Sequence, residues 1–335
     1  MKSPSPLSSL AGCARCLMVA ASLLLTLPAP ALAQSNPVVR ISTTYGDFSI
    51  ELFEEQTPAT VENFLGYVGR GDYRRTFLHR LESDFVVQGG GYRFIPGCSA
   101  GVRPCGPVEV PQQAPVQNEP GISNTRGTVA MAKLSGDPDS ATSQWFVNLD
   151  DNSEELDDQN GGFTAFGEVL GDGMDVLDRI AEQATYNLCD TGESCFAGNI
   201  PLRNFESSGR LPVDAHFIHI NPTRVSRFST ALHVFEPSRG VLVTTVDGGD
   251  GVGRYSLRMQ VVANSPDIVF EVVPESLIPL GSDPEGKAVW DPETGRLEIP
   301  RVEVNTSSGA NVVTNVEMSM QSESPMRFVL ESWEE

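Results

Sequence analysis

Positive charge is scarce in this chain: Lys and Arg number 23 against 44 Asp and Glu, a formal net charge of −21 over 335 residues. A field of that sign repels phosphate backbones and anionic lipid headgroups, which argues against nucleic acid as a partner. Long hydrophobic runs are equally rare. Beyond the first 33 residues no stretch approaches the ~20 apolar residues a membrane helix needs. His79 is read as a structural residue and not as part of a hydrolase triad. No Lys-Ser or Lys-Thr follows Gly89-Gly90-Gly91, which makes that run a tight bend and not a phosphate cradle. Fixed-period repeats and low-complexity tracts are absent too. With 40% hydrophobic and 20% charged residues the balance is that of an ordinary globular protein, and the length suits two domains of about 150 residues.

The N-terminus is different in kind. Lys2 and Arg15 precede an apolar run from Leu17 to Leu27, followed by Pro28, Pro30 and the small-residue triplet Ala31-Leu32-Ala33. This reads as a secretory signal peptide over residues 1–33, cleaved before Gln34, because the prolines cut the run too short for an anchor. Leu10-Ala11-Gly12-Cys13 lies before the apolar run, where a lipoprotein box would follow it. The mature protein is therefore expected to be soluble and periplasmic or secreted. Cys13 and Cys16 leave with the signal, and Cys98, Cys105, Cys189 and Cys195 remain. Four cysteines permit three pairings, and an oxidising compartment favours bridges. Each close pair sits in a Gly/Pro/Ser-rich stretch at a spacing wider than usual zinc or thioredoxin-like motifs, so two local loop staples are expected.

Val39, Ile41 and Thr43, then Tyr45-Gly46-Asp47, then Phe48, Ile50 and Leu52 alternate around a turn and predict a β-hairpin. Thr57 suits an N-cap and Pro58 the first helical position, with Val61, Phe64, Leu65 and Val68 on one face and Gly69 or Gly71 at the end. A second helix is predicted after Asp172, burying Met174, Leu177 and Ile180. Between them lie short β-like runs at 85–88, 128–132, 145–149 and 164–169, a pattern that suggests a closed barrel. A last strand is expected over 215–220, ending at Asn221-Pro222, with a domain boundary there. Residues 223–335 show alternating runs and no good helix, consistent with a β-sandwich of about 110 residues.

Five blocks carry the chemistry: Thr76-Phe77-Leu78-His79-Arg80, then 85–91, then Asn124 to Ala132, then Ser140 to Asn148, then Phe163 to Val169. In this order they resemble the cyclophilin-type peptidyl-prolyl cis-trans isomerases, particularly bacterial periplasmic members, from about Val38 to Asn221. The resemblance implies an eight-stranded barrel capped by two helices over 34–222, with a substrate groove on its outside and a smaller β domain of unassigned role over 223–335. Carried over by position, Arg80 matches the family's catalytic arginine, with Phe85 and Gln88 beside it. Phe85, Val86, Phe146 and Leu156 match the proline pocket, Phe163 stands where many members have His, and Ala132 with Lys133 matches the strand beside which the peptide lies. No metal or cofactor is implied. The partners implied are proline-containing unfolded or extended polypeptides.

These residue types suit the task without the family name. An Xaa-Pro bond resists rotation because the nitrogen lone pair is delocalised into the carbonyl, with a barrier of roughly 18–20 kcal/mol. A guanidinium aimed at that nitrogen bonds the lone pair only as it localises, and so favours the twisted state. Arg stays protonated at any working pH, and a neighbour such as Gln88 can hold its planar fork. The sequence departs from the family in three places. Glu155 stands where many eukaryotic members have Trp, which predicts weak cyclosporin binding; Leu78 replaces a usual Phe, and Lys133 an Asn. A non-catalytic proline-peptide chaperone or scaffold using the same groove is the alternative. The acidic stretch 150–158, and Asp247 with Asp250, lack EF-hand spacing and are read as solvated loops.

Overall fold

A computed structural model describes residues 36–95, 106–188, 198–206, 212–249, 251–306 and 308–335. The expected signal peptide, Cys98, Cys105, Cys189, Cys195 and Asp250 lie outside these residues. The predicted hairpin forms from β1 (Val38–Thr43) and β2 (Gly46–Leu52), with Thr43 facing Gly46 across the turn. The following strands are β3 (Thr76–Phe77), β4 (Arg80–Glu82), β5 (Val86–Gly89), β6 (Tyr92–Ile95), β7 (Gly106–Glu109), β8 (Thr128–Met131), β9 (Trp145–Asn148) and β10 (Ala165–Leu170). A small pair, β11 (Thr185–Tyr186) and β12 (Ile200–Pro201), precedes β13 (His219–Val225).

Chain neighbours β3 and β4 lie far apart in the sheet order β4-β5-β9-β8-β10-β2-β1-β13-β3-β6-β7. Segment 76–82 therefore closes the ring. Its Leu78 amide donates to the Ile218 carbonyl at 3.0 Å, and the next amide, of His79, donates to Gln88 at 3.0 Å. The strand leaves β13 and joins β5 between these two residues, which completes the expected eight-membered barrel immediately before Arg80.

Three helices are present among the described residues: α1 (Pro58–Arg70), the single turn α2 (Ser153–Leu156) and α3 (Gly173–Ala181). Phe64 of α1 drives into the barrel core, edge-on to Trp145 at 6.1 Å and 5.1 Å from Phe166. Val176, Leu177 and Ile180 of α3 enter the same core, and Met174 packs partly buried against it. Gly71 ends α1 in the left-handed conformation. Two expectations are corrected here. Thr57 does not cap α1 with its side chain; its hydroxyl donates back to the Phe53 carbonyl, and the helix amides of Ala59 and Thr60 donate to the carboxylate of Glu119 at 3.1 and 2.8 Å. A remote carboxylate fills that position because it satisfies two orphan amides and faces the positive end of the helix dipole. The last barrel strand is also displaced. Residues 214–216 form a 3-10 turn, and the strand runs through Asn221-Pro222 to Val225, pairing Ile41 with Pro222 and Val38 with Val225. The proline is tolerated because the ladder to β3 has already ended at Ile220.

Beyond it, β14 (Val234–Glu236), β15 (Val241–Asp247), β16 (Arg254–Asn264), β17 (Ile268–Val272), β18 (Ile278–Pro279), β19 (Ala288–Asp291), β20 (Arg296–Thr306), β21 (Gly309–Glu323) and β22 (Met326–Glu334) form one nine-stranded sheet. Additional β14–β20 and β15–β16 pairings fold it over its own core of Leu242, Met259, Phe270, Ile299 and Phe328. Buried Arg40 ties the two sheets, with Nε on Asp47 at 2.7 Å and Nη1 on the Ala231 carbonyl at 2.6 Å. Residues 36–335 accordingly form one compact unit.

A fragment ending at residue 222 removes the pairs Arg40–Thr223, Val39–Arg224 and Val38–Val225, whereas one ending at 226 keeps them. The shorter fragment is expected to be less stable by about 1–3 kcal/mol in urea unfolding. Equal midpoints would show that the strand's second half adds nothing.

Candidate active site

Cross-strand register builds the site. Arg80 faces Gln88, Gln88 faces Phe146, Phe146 faces Ala130 and Ala130 faces Ala165, a single row across β4, β5, β9, β8 and β10. The adjacent row, Leu81, Val87, Val147 and Val129, is buried in the barrel core. Because strand side chains alternate, the first row lies on the outer wall. There the two alanines form a buried apolar cluster with Val86, Phe146 and Leu156, and Phe85, Ile122, Ala132 and Phe163 pack partly buried around it. Phe146 and Phe163 meet edge to face at 5.8 Å. Of the pocket residues read from the sequence, Phe85, Val86, Phe146, Leu156, Phe163 and Ala132 thus come together. Ile122, Ala130 and Ala165 were missed, although the alternation of strands 128–131 and 165–170 already marked the outward face of the two alanines.

Arg80 lies beside this cluster, its guanidinium carbon 5.8 Å from the Phe85 ring centroid. Nε lies 3.7 Å from Glu82, and both side chains are about two-fifths exposed, at 41% and 38%. Such a pair is worth at most about 1 kcal/mol. The expected hold of Gln88 on the guanidinium is replaced by another arrangement: the Gln88 amide donates to Gln144 Oε1 at 2.7 Å, and His79 Nε2 approaches the same oxygen at 3.2 Å. Donation from His79 to that oxygen uses the tautomer protonated on Nε2. Burial holds the His79 imidazole down to a pKa of about 4, and the nearby Arg80 charge acts in the same direction. Gly90 permits the close packing behind it: at φ 79°, a Cβ there would stand 2.4 Å from the Ser143 carbonyl oxygen.

Buried asparagines connect the pocket walls. Asn152 donates to the Phe85 carbonyl and to Asn148 Oδ1, both at 2.8 Å; Asn148 donates to Asn124 at 3.2 Å; Asn124 donates to the Phe163 carbonyl at 3.0 Å. Asp157 anchors the far end, accepting from the Asn124 backbone amide and from Ser123. These hydrogen bonds hold its carboxyl below the usual range against a burial effect that raises it.

Beyond Gln88, a depression of about 150 Å³ is bounded by Gln112, Ala132, Leu134, Ser140, Thr142 and Gln144. Lys133 reaches its margin but turns its ammonium into the 160–162 loop, donating to the Asn160 and Gly162 carbonyls. On the opposite flank, Glu155 lies with Asp84, Asp150, Asp151 and Glu154 around an acidic hollow beside Phe85. Among the described residues no three His, Cys, Asp or Glu side chains converge as a metal site. His219 is buried with Nε2 3.0 Å from Asp214.

The sequence profile of the family described as cyclophilin type peptidyl-prolyl cis-trans isomerase/CLD matches residues 38–198. The peptidyl-prolyl cis-trans isomerase B of Escherichia coli K12 is 40% identical over 156 residues, 44% of this chain and 86% of that protein. A peptidyl-prolyl cis-trans isomerase of Acinetobacter baylyi is 38% identical over 156 residues, 46% of this chain and 76% of that one. The isomerase cyp18 of Streptomyces antibioticus is 41% identical over 148 residues, 42% of this chain and 81% of the relative. The chain belongs to the cyclophilin-type peptidyl-prolyl cis-trans isomerases. It is an enzyme of that activity.

The buried His79 makes the fold acid-sensitive in a defined window. The unfolded chain binds a proton at this residue below about pH 6.5, and the folded chain only near pH 4, so its contribution is complete above 6.5 and is lost as pH falls towards 4. The loss amounts to about 3 kcal/mol. In urea unfolding at pH 7 and 4.5, a His79→Gln variant is expected to lose less stability on acidification than the wild type. An identical loss would mean His79 is not protonated on unfolding.

Proposed function

We propose that the outer-wall row is the catalytic surface and that Arg80 accelerates rotation about Xaa-Pro bonds in exported proteins. The observation that carries this is the placement of a part-exposed guanidinium beside Phe85, at the margin of an outer-wall apolar cluster built on Val86, Ala130, Phe146, Leu156 and Ala165. A prolyl ring fits a pocket walled by Phe85, Phe146, Leu156 and Phe163 and leaves its nitrogen towards Arg80. Planar, that nitrogen has no lone pair to offer; twisted by about 90°, it accepts a hydrogen bond. The guanidinium then stabilises the transition state and not the ground state. Lowering the barrier by about 8 kcal/mol corresponds to about 10⁶-fold acceleration. One charge-assisted hydrogen bond supplies part of this, and the remainder falls to the grip on the ring while the preceding carbonyl swings.

Gln88 and Ala132 flank the path of the peptide, with the Gln88 amide oxygen left to accept from a backbone amide while its nitrogen is held by Gln144. The weak Glu82 contact is given up at little cost when substrate arrives. The signal sequence over residues 1–33 supports a periplasmic or secreted location, where unfolded exported chains supply the substrate.

In an assay on a short Xaa-Pro peptide, Arg80→Ala is expected to lower kcat/KM by about 10²–10³ while leaving the melting temperature unchanged, since the side chain is half-exposed. Undiminished turnover would leave the groove as a peptide-holding surface. Mass spectrometry of the protein from the exported fraction is expected to find Gln34 at the N-terminus. An uncleaved chain confined to the cytosol would overturn the assignment of location.

A further inference from the structure

Lys133 was read from the sequence as a residue beside the bound peptide, yet its ammonium turns away from the peptide path. Nζ donates to the Asn160 carbonyl at 2.8 Å and the Gly162 carbonyl at 2.5 Å, and lies 4.7 Å from the Phe163 ring centroid. Three successive residues give the loop its shape, Asn160, Gly161 and Gly162, with φ of 53°, 78° and 76°. This left-handed run turns two of its carbonyls to one point, and a cation fills it. Gly162 is obligatory there, because a Cβ would meet the Asp157 carbonyl oxygen at 2.5 Å. The strand side reciprocates: Asn160 Nδ2 donates to the Leu134 carbonyl at 2.9 Å. Burial lowers the Lys133 pKa, with Asp139 acting against it.

We infer that Lys133 is a positioning residue for the proline pocket, holding the 160–162 loop so that the Phe163 ring stands edge-on to Phe146. The inference rests on the reading of that pocket given above. The Phe163 backbone is fixed by Leu156 and Asn124, so the backbone alone does not set the ring. The ammonium over its face and the locked loop before it do. Loosening this wall weakens the hold on the prolyl ring in ground and transition states alike, which raises KM and spares kcat.

The test uses the mature full-length chain and a short Xaa-Pro peptide, with exchange line shapes separating KM from kcat. Lys133→Met keeps the apolar stem and removes the charge. It is expected to raise KM about five- to tenfold with kcat within about twofold. Amide exchange at Gly162 and Phe163 should speed up without a change in melting temperature. In a Phe163→Leu background the same substitution should change KM by less than about twofold. An unchanged KM, or an effect of full size in the Phe163→Leu background, overturns the inference; the latter places Lys133 in direct contact with the peptide. Absence of isomerisation in the wild type overturns the catalytic reading instead, and amide exchange still decides whether Lys133 locks the loop.

Discussion

Strand register is the constraint on which the site depends. Leu81, Val87, Val147 and Val129 fill the barrel, so Arg80, Gln88, Phe146 and Ala130 must face outward in the same order. A slip of one residue on β4 would send Arg80 into the core, at a cost of several kcal/mol from the buried charge alone, and one on β5 would turn Gln88 inward and Val87 into the groove. Hydrophobic burial inside therefore fixes the geometry of the proposed site outside. The closure of the ring between Leu78 and His79 adds a second fix, because the chain changes strand partners one residue before Arg80.

Polar contacts then do what register cannot. Apolar contacts are non-directional and leave a ring free to rock, whereas Asn152, Asn148 and Asn124 bond successively from the Phe85 carbonyl to the Phe163 carbonyl. Both pocket walls thereby share one buried network, in which any unpaired amide would be expensive. Gln144 plays the matching part on the other side, where its oxygen collects the Gln88 amide and His79. A neutral His79 suits this position, since a charged imidazole behind Arg80 would repel the guanidinium.

Much of this was legible in the sequence because it is local or periodic. The β1–β2 hairpin, the α1 stripe, α3 and the long C-terminal strands follow from alternation and spacing, and the pocket residues follow from motif order. What escaped is non-local. Glu119 caps α1 from 60 residues away, a distance at which no capping rule operates. The extension of β13 through Pro222 depends on β3 ending early, which only the assembled sheet decides. The nine-stranded sheet of 234–334 closes by the parallel β14–β20 pair, whose partners lie almost seventy residues apart. Lys133 was placed in the groove by strand position alone, and its turn into the loop required the carbonyls at 160 and 162 to converge.

The weakness of the Arg80–Glu82 contact is itself informative about chemistry on so acidic a chain. With acids outnumbering bases nearly two to one, a bidentate carboxylate partner for Arg80 would have been easy to supply. In the role proposed for Arg80, such a pair would compete with the prolyl nitrogen for the same N–H groups, and a neutral amine nitrogen loses to a carboxylate. At 3.7 Å, through Nε and with both groups in solvent, Glu82 orients the side chain without occupying its terminal nitrogens. The Phe85 ring lies within cation–π range of the guanidinium, its centroid 5.8 Å from the guanidinium carbon. The site thus keeps a permanent positive charge beside an apolar pocket while leaving its hydrogen-bonding edge uncommitted, the condition under which a lone pair that exists only in the twisted amide can be recognised.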